Sequence, residues 1–242
     1  MPDAYGLIGY PLGHSFSPAY FAKKFTDQII DAVYDAYPLE DISSLPSLIA
    51  AHDFRGLNVT IPHKETIIPY LDVLDELAQK VGAVNTVSFK GGVKKGYNTD
   101  VIGFEQSIRP LLRPHHKQAL ILGTGGASKA VAYVLERLGI PYTKVSRTKG
   151  DNVLSYAELD DEMIAHNTLI VNCTPLGKYP AIDTAPEIPY KSLGRQHLLY
   201  DLIYRPAETM FLMLGKQRGA AAKNGLEMLH LQADAAWDIW NG

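Results

Sequence analysis

Cysteine is almost missing from this sequence. Cys173 stands alone, so no disulfide can close within the chain, and a reducing cytoplasm fits that composition. No apolar run is long enough to span a bilayer. A signal peptide is not expected either, because Asp3 comes early and Gly6, Gly9, Pro11 and Gly13 interrupt what would be its apolar segment. Excess positive charge is also lacking. Lys and Arg number 23 against 26 Asp and Glu, a formal net charge of −3, which provides no electrostatic attraction for nucleic acid. The 20 glycines and 15 prolines are scattered, so neither a low-complexity linker nor an internal repeat is visible. Small soluble molecules are the expected partners, with no role for nucleic acid or membrane.

What is present is an alternation of strand and helix patterns across 242 residues, enough for one or two domains. Tyr5 to Gly9, Ala32 to Pro38 and Gly56 to Ile61 read as strands, and Phe21 and Phe25 share one helical face. Pro62 follows the third strand where a helix can begin, which places Lys64 in a first helical turn. Ala83 to Lys90 and Val93 to Tyr97 flank Gly91-Gly92 and read as a hairpin, so the first half is not purely parallel. Beyond residue 117 the strands Gln118–Leu122, Tyr142–Val145, Leu169–Asn172 and His197–Asp201 alternate with helical segments such as Lys129 to Leu138, as in a mostly parallel sheet. Gly225 to Trp240 is an amphipathic helix with an expected stripe of Leu229, Ala233, Ala236, Trp237 and Trp240. The fold class is α/β in two domains, the second at about 104–224.

Two regions carry chemistry. The first is Ala119 to Ser128, a strand, a glycine turn and a helix start. Gly123 permits the turn, and Gly125 lets backbone approach a pyrophosphate at the helix N-terminus, with Thr124, Gly126 and Ala127 beside it. Ser128 takes the place of the third glycine. The following strand ends Val145-Ser146-Arg147-Thr148-Lys149, without the acidic residue that holds a ribose 2′-hydroxyl. Arg147, flanked by Ser146 and Thr148, suits a 2′-phosphate, which predicts NADP (as NADPH), with NAD left open because Asp151 lies near.

The second region is a set of polar clusters. Ser17 before Pro18 reads as an N-cap, but capping does not account for Ser15. Asn58 and Thr60 alternate on one strand face, and Lys64 follows. In a first helical turn the macrodipole disfavours a cation, which suggests a chemical role. Asn85-Thr86 and Asn98-Thr99-Asp100 add hydrogen-bonding groups. If neighbouring strands are parallel, their carboxyl ends gather these groups into one crevice suited to a ligand with several hydroxyls and a carboxylate. Lys64 and Asp100 can together handle a proton at a carbonyl or alcohol oxygen. His14 and His63 adjoin these clusters, but no spaced set of ligands indicates a metal. Cys173 reads as a small filler without a catalytic partner.

These motifs, together with Asn172-Cys173-Thr174-Pro175, Tyr200-Asp201-Leu202-Ile203-Tyr204 and Gly225 to Gln232, resemble those of the shikimate dehydrogenase family, in the family's order along nearly the whole chain. The resemblance implies an α/β substrate-binding domain formed by 1–103 and 225–242, a Rossmann-like dinucleotide domain at 104–224, and a last helix that returns to the substrate domain. It implies Lys64 as catalytic acid/base with Asp100 as partner. Ser15, Ser17, Thr60, Asn85, Tyr204 and Gln232 would hold substrate, with Asn58 lining the crevice, while Leu202 and Gly225 would meet the nicotinamide end through backbone. Ser146 stands where the family usually has Asn, and Val101 where it usually has Gly. The implied reaction is reversible NADPH-dependent reduction of 3-dehydroshikimate to shikimate, within chorismate and aromatic amino-acid biosynthesis. A quinate or related cyclitol dehydrogenase and a non-catalytic shikimate- or cofactor-binding paralogue are the alternatives, and monomer and homodimer remain equally open.

Overall fold

The structure, a computed structural model, describes residues 2–13 and 15–242. His14 lies outside the described residues. The chain forms two compact units, Met1–Thr99 with Ala233–Gly242, and Asp100–Gln232. It passes between them inside two helices, α4 (Thr99–Ile108) and α8 (Leu226–Asn241).

Unit 1 holds a six-stranded mixed sheet. In chain order its strands are β1 (Asp3–Gly9), β2 (Ala32–Pro38), β3 (Phe54–Val59), β4 (Val73–Leu74), β5 (Thr86–Lys90) and β6 (Val93–Tyr97), laid out β2-β1-β3-β5-β6-β4. β1 runs parallel to both β2 and β3 and is buried on both faces from Tyr5 onward, the pattern of a central strand. β5 is antiparallel to β3 and to β6. Gly91 and Gly92 both take positive φ, 60° and 78°, as a two-residue hairpin of this hand requires. The helices α1 (Phe16–Gln28), α2 (Leu45–Ala51) and α3 (Glu76–Val81) complete the unit with the end of α8. Phe21 and Phe25 are buried as their spacing predicts, in a cluster with Tyr5, Tyr34 and Trp240. Trp240 anchors the last turns of α8. Its indole lies directly on Gly56, where any Cβ would sit 2.2 Å from Nε1, and Nε1 donates to the Val87 carbonyl at 3.0 Å. The buried stripe of α8 is Met228, Gln232, Ala233, Ala236 and Trp240. Leu229 and Trp237, expected in it, are only half-buried at its flank.

Unit 2 holds β7 (Ala119–Leu122), β8 (Tyr142–Ser146), β9 (Val153–Ser155), β10 (Leu169–Asn172), β11 (Leu198–Asp201) and β12 (Ala221–Lys223). All five pairings are parallel, in the order β12-β11-β10-β7-β8-β9. Read from its own first strand this is 3-2-1-4-5-6, and the order reverses between β7 and β10. These two central strands are fully buried runs, Ala-Leu-Ile-Leu and Leu-Ile-Val-Asn. The helices α5 (Gly126–Arg137), α6 (Asp161–His166) and α7 (Met210–Gln217) connect the strands. Among the described residues no helix is long and apolar enough to cross a membrane.

Candidate active site

In unit 1 the polar clusters converge because strands of both directions share one sheet edge. β1 and β3 end there, at Gly9 and Val59. β5 starts there and β6 ends there, since Asn58 pairs with Thr86 and Thr86 with Tyr97. Asn85-Thr86 therefore arrives by the start of an antiparallel strand, and not by the end of a parallel one. That strand begins at Thr86 and not at Ala83, because Asn85 spends its backbone and side chain on neighbours. Its N–H donates to the Tyr97 carbonyl, and its Oδ1 accepts from the Thr99 N–H at 2.7 Å. Asn85 thus supplies an acceptor for the first turn of α4, while Asn98 donates to the Ala83 carbonyl.

Buried hydroxyls and amides continue this bonding across the sheet. Asn85 Nδ2 donates to Thr99 Oγ1 at 2.9 Å, and the Thr86 hydroxyl donates to Asn85 Oδ1. Asn58 Nδ2 donates to the Asn85 carbonyl and to Thr86 Oγ1, both at 3.3 Å. Asn58 Oδ1 accepts from the Tyr34 hydroxyl at 2.7 Å, and Ser17 is hydrogen-bonded to that same hydroxyl. Ser17, Asn58 and Asn85 therefore belong to one network, joined by Thr86 and Thr99, expected only as further hydrogen-bonding groups, and by Tyr34, to which no role was given. A buried tyrosine needs a partner for its hydroxyl, but periodicity does not name a partner 24 residues away.

Lys64 requires a correction. Residues 61–67 are a series of turns leading to a short 3-10 segment at Ile68–Tyr70, not an α-helix. The Ile67 N–H reaches the His63 carbonyl, but the next bond of a helix is not made. The Lys64 carbonyl accepts from Val84 N–H at 2.7 Å, and Pro69 has no N–H to offer Glu65. With no helix there is no macrodipole acting on Lys64. The lysine is half-buried, and its backbone is tied to the segment leading into Asn85. Thr60 is half-buried just past β3, with its N–H on the Ile8 carbonyl. His63 is buried and structural, with Nε2 2.6 Å from the Leu39 carbonyl.

The helix α1 begins one residue before Ser17, so its N-cap is Ser15 and not Ser17. Ser15 makes no side-chain cap bond, and the usual N3 donor is unavailable because that position is Pro18. Ser17 is instead buried in the first turn and bonded to Tyr34.

In unit 2 the glycine turn lies at the carboxyl end of β7, where the strand order reverses. Gly123 has φ +106°, and a Cβ there would meet Cys173 and Thr174 at 3.2 Å, so glycine is required. Gly125 is the N-cap of α5 and brings no side-chain cap, and a Cβ on it would meet nothing within 4 Å. The helix start thus offers backbone N–H groups, with Thr124, Gly126 and Ala127, across open space, as a dinucleotide pyrophosphate requires. Ser128, in place of a third glycine, is buried with its hydroxyl on the Gly125 carbonyl at 2.6 Å.

After β8, Ser146 Oγ bonds the Thr148 backbone and shapes the turn that exposes Arg147. Lys149 is ion-paired with Glu158, which holds that carboxyl down at about 2, and Asp151 sits at the tip of the tight Gly150–Val153 turn. The Tyr156 hydroxyl is the one buried side-chain N or O atom without a hydrogen-bond partner among the described residues, and burial raises its pKa to about 12. Across the switch point on the same edge, past the carboxyl end of β11, Gly225 presses on Leu202, where a Cβ would be 2.2 Å from the Leu202 carbonyl oxygen, and its N–H donates to the Ile203 carbonyl. Tyr204 is half-buried in the same loop. Asp100 is buried in the first turn of α4, next to Thr99 in the chain. Gln232 is buried on α8, with Nε2 donating to the Leu229 carbonyl.

Asp201, quoted in a motif but given no role, is a fully buried carboxylate at the end of β11. It accepts from Asn172 Nδ2, the Ile203 N–H and the Thr209 hydroxyl, the last at 2.6 Å. Burial pushes it up to about 6 despite those bonds. Burial, reinforced by the Asp201 charge, also raises the Cys173 thiol well above the ordinary range, so it is a poor nucleophile. Among the described residues no group of three His, Cys, Asp or Glu is placed to hold a metal ion.

Residues 7–87 match the family described as the shikimate dehydrogenase substrate binding domain. The chain is 38% identical to a shikimate dehydrogenase (NADP(+)) of Methanosphaera stadtmanae, over 98% of this chain and 90% of that one. The crystal structure of shikimate dehydrogenase from Aquifex aeolicus is similar with a TM-score of 0.90 at 36% identity, covering 100% of this chain and 93% of that one. Shikimate 5-dehydrogenase from Thermus thermophilus, in complex with NADP(H) and shikimate, gives 0.87 at 31% identity, covering 99% and 94%. With a mixed substrate-type sheet, an all-parallel 3-2-1-4-5-6 sheet and relatives of this identity over its whole length, the chain belongs to the shikimate dehydrogenase family.

Proposed function

We propose that this chain catalyses the reversible reduction of 3-dehydroshikimate to shikimate with NADPH, an oxidoreductase reaction at a CH–OH group. The observation that carries the reading is the match to shikimate dehydrogenases (NADP(+)) over 98% of the chain, since the reaction needs both units. In this reading residues 1–103 with 225–242 take the substrate, and 104–224 take the dinucleotide. Bound NADPH supplies the hydride that reaches the ketone carbon. Lys64 supplies the proton to the ketone oxygen, so that C=O becomes CH–OH with one hydride and one proton consumed, and its positive charge stabilises the developing alkoxide. Asp100 is its acid–base partner. Ser15, Ser17, Thr60, Asn85, Tyr204 and Gln232 hold the carboxylate and hydroxyls, with Asn58 behind them.

Gly123, Gly125 and the start of α5 take the pyrophosphate, and Leu202 and Gly225 take the nicotinamide end. Arg147 takes the 2′-phosphate, supported by its exposure and by the absence of an acidic residue at the end of β8. A cytoplasmic location suits a chain with one cysteine. The test is a spectrophotometric assay of purified protein with shikimate and NADP. Wild-type turnover is expected, and Lys64→Ala should reduce kcat about 100-fold or more. Near-normal turnover in that variant removes Lys64 from its role, and faster turnover of quinate than shikimate reassigns the substrate.

A further inference from the structure

We propose that Tyr34 is a positioning residue for substrate: one hydroxyl fixes both Ser17 and Asn58. This rests on the functional reading above. Tyr34 is the single buried residue of β2, an edge strand whose other side chains are exposed or half-buried. Its ring is stacked on Phe21, with centroids 4.5 Å apart and planes 15° from parallel, so the hydroxyl is held on a rigid arm. The directions of the bonds follow from what each partner can do. The Asn85 carbonyl only accepts, so Asn58 Nδ2 must face it and Oδ1 must face Tyr34. Tyr34 then donates its proton to Asn58, and the bond with Ser17 is donated by Ser17. Burial keeps the phenol protonated well above the ordinary tyrosine range, so this pattern does not change near neutral pH. Without the hydroxyl, Asn58 Oδ1 loses its donor and keeps only the two longer bonds of Nδ2, and Ser17 loses the acceptor that fixes its rotamer. The hydroxyl of Tyr34 bonds Asn58 and Ser17, two substrate-holding residues, so substrate binding is the step expected to be disturbed.

The test is Tyr34→Phe, which keeps the ring and its stack. The KM for shikimate is expected to rise about tenfold, with kcat falling less than about threefold and the Kd for NADP, read by fluorescence, unchanged. In a Ser17→Ala background the same substitution should raise KM by a clearly smaller factor, because the two residues act as a unit. A purely structural tyrosine would lower Tm and leave KM where it was, and that outcome overturns the inference. Should Tyr34→Phe fail to fold because Asn58 Oδ1 is orphaned, pairing it with Asn58→Leu replaces both partners by apolar groups. Its KM is then compared with that of Asn58→Leu alone. A further rise supports Tyr34 acting on Ser17, and equal values overturn it. A wild-type protein that turns over shikimate while Tyr34→Phe leaves KM unchanged refutes this inference alone. A wild type inert toward shikimate refutes it together with the substrate reading.

Discussion

The two sheets build their sites from different materials. In unit 1 the candidate substrate face is made of side chains that hold one another, Ser17, Tyr34, Asn58, Asn85, Thr86 and Thr99, all neutral. In unit 2 the candidate cofactor face is made largely of backbone, with glycines at 123, 125 and 225 where main chain must turn or be approached. Near it a buried carboxylate, Asp201, gathers hydrogen bonds from Asn172, Ile203 and Thr209. A sheet with strands in both directions brings strand starts and strand ends to one edge, so side chains from distant segments meet. An all-parallel sheet brings only strand ends, and what gathers there is loop backbone.

The sharpest way to break this comparison is at the anchor of unit 1. Trp240→Ala should cost about 4 kcal/mol, because it leaves a cavity over Gly56 and an unpartnered Val87 carbonyl. Urea unfolding checks this, and a loss under 1 kcal/mol would mean that the helix end is dispensable. Next is the charge contrast. Asp201 titrates at about 6 in the folded protein against an ordinary 3.8, so the folded state holds its proton more tightly. Its contribution to stability is therefore complete below about pH 3.8 and is lost as pH rises through 6, a change of about 3 kcal/mol. Asp201→Asn should remove that component of the pH profile, whereas Asn58→Leu in the neutral network should not; identical profiles for wild type and Asp201→Asn would refute the charge contrast.

Arg147→Ala should lower kcat/KM for NADPH relative to NADH by about tenfold, the worth of one charge-assisted hydrogen bond. An unchanged ratio would detach the arginine from cofactor choice. The smallest effect belongs to Glu158→Gln. Losing this exposed pair with Lys149 should barely move the melting temperature, and it should also free Lys149 to add modestly to NADPH affinity.

The same contrast explains what could be read from residues alone. Backbone-built features announce themselves through glycine spacing. The turn at Gly123 and the Gly91-Gly92 hairpin were both placed by residues whose geometry only glycine supplies. Side-chain networks do not announce themselves, since the bonds from Tyr34 to Asn58 and from Asn85 to Thr99 join segments 24 and 14 residues apart. Lys64 shows the limit at short range. Pro62 is a reasonable helix start, but Pro69 and the bond from Val84 to the Lys64 carbonyl stop the helix, and only the proline is local. The stripe on α8 was displaced at its edges because the helix serves different neighbours along its length. Gly103 lies against the Met228 backbone, while Trp240 packs on Gly56.

The Trp240 contact also has a meaning in time. A ribosome works from the N-terminal side, so all six strands of unit 1 are made before the tryptophan that covers Gly56 exists. Unit 2 is continuous in sequence, so it can close while the first sheet still waits for its last side chain. During synthesis the earlier half is thus the later one to be finished, because the aromatic cluster around Tyr5 and Phe21 takes its last member, Trp240, from the end of α8.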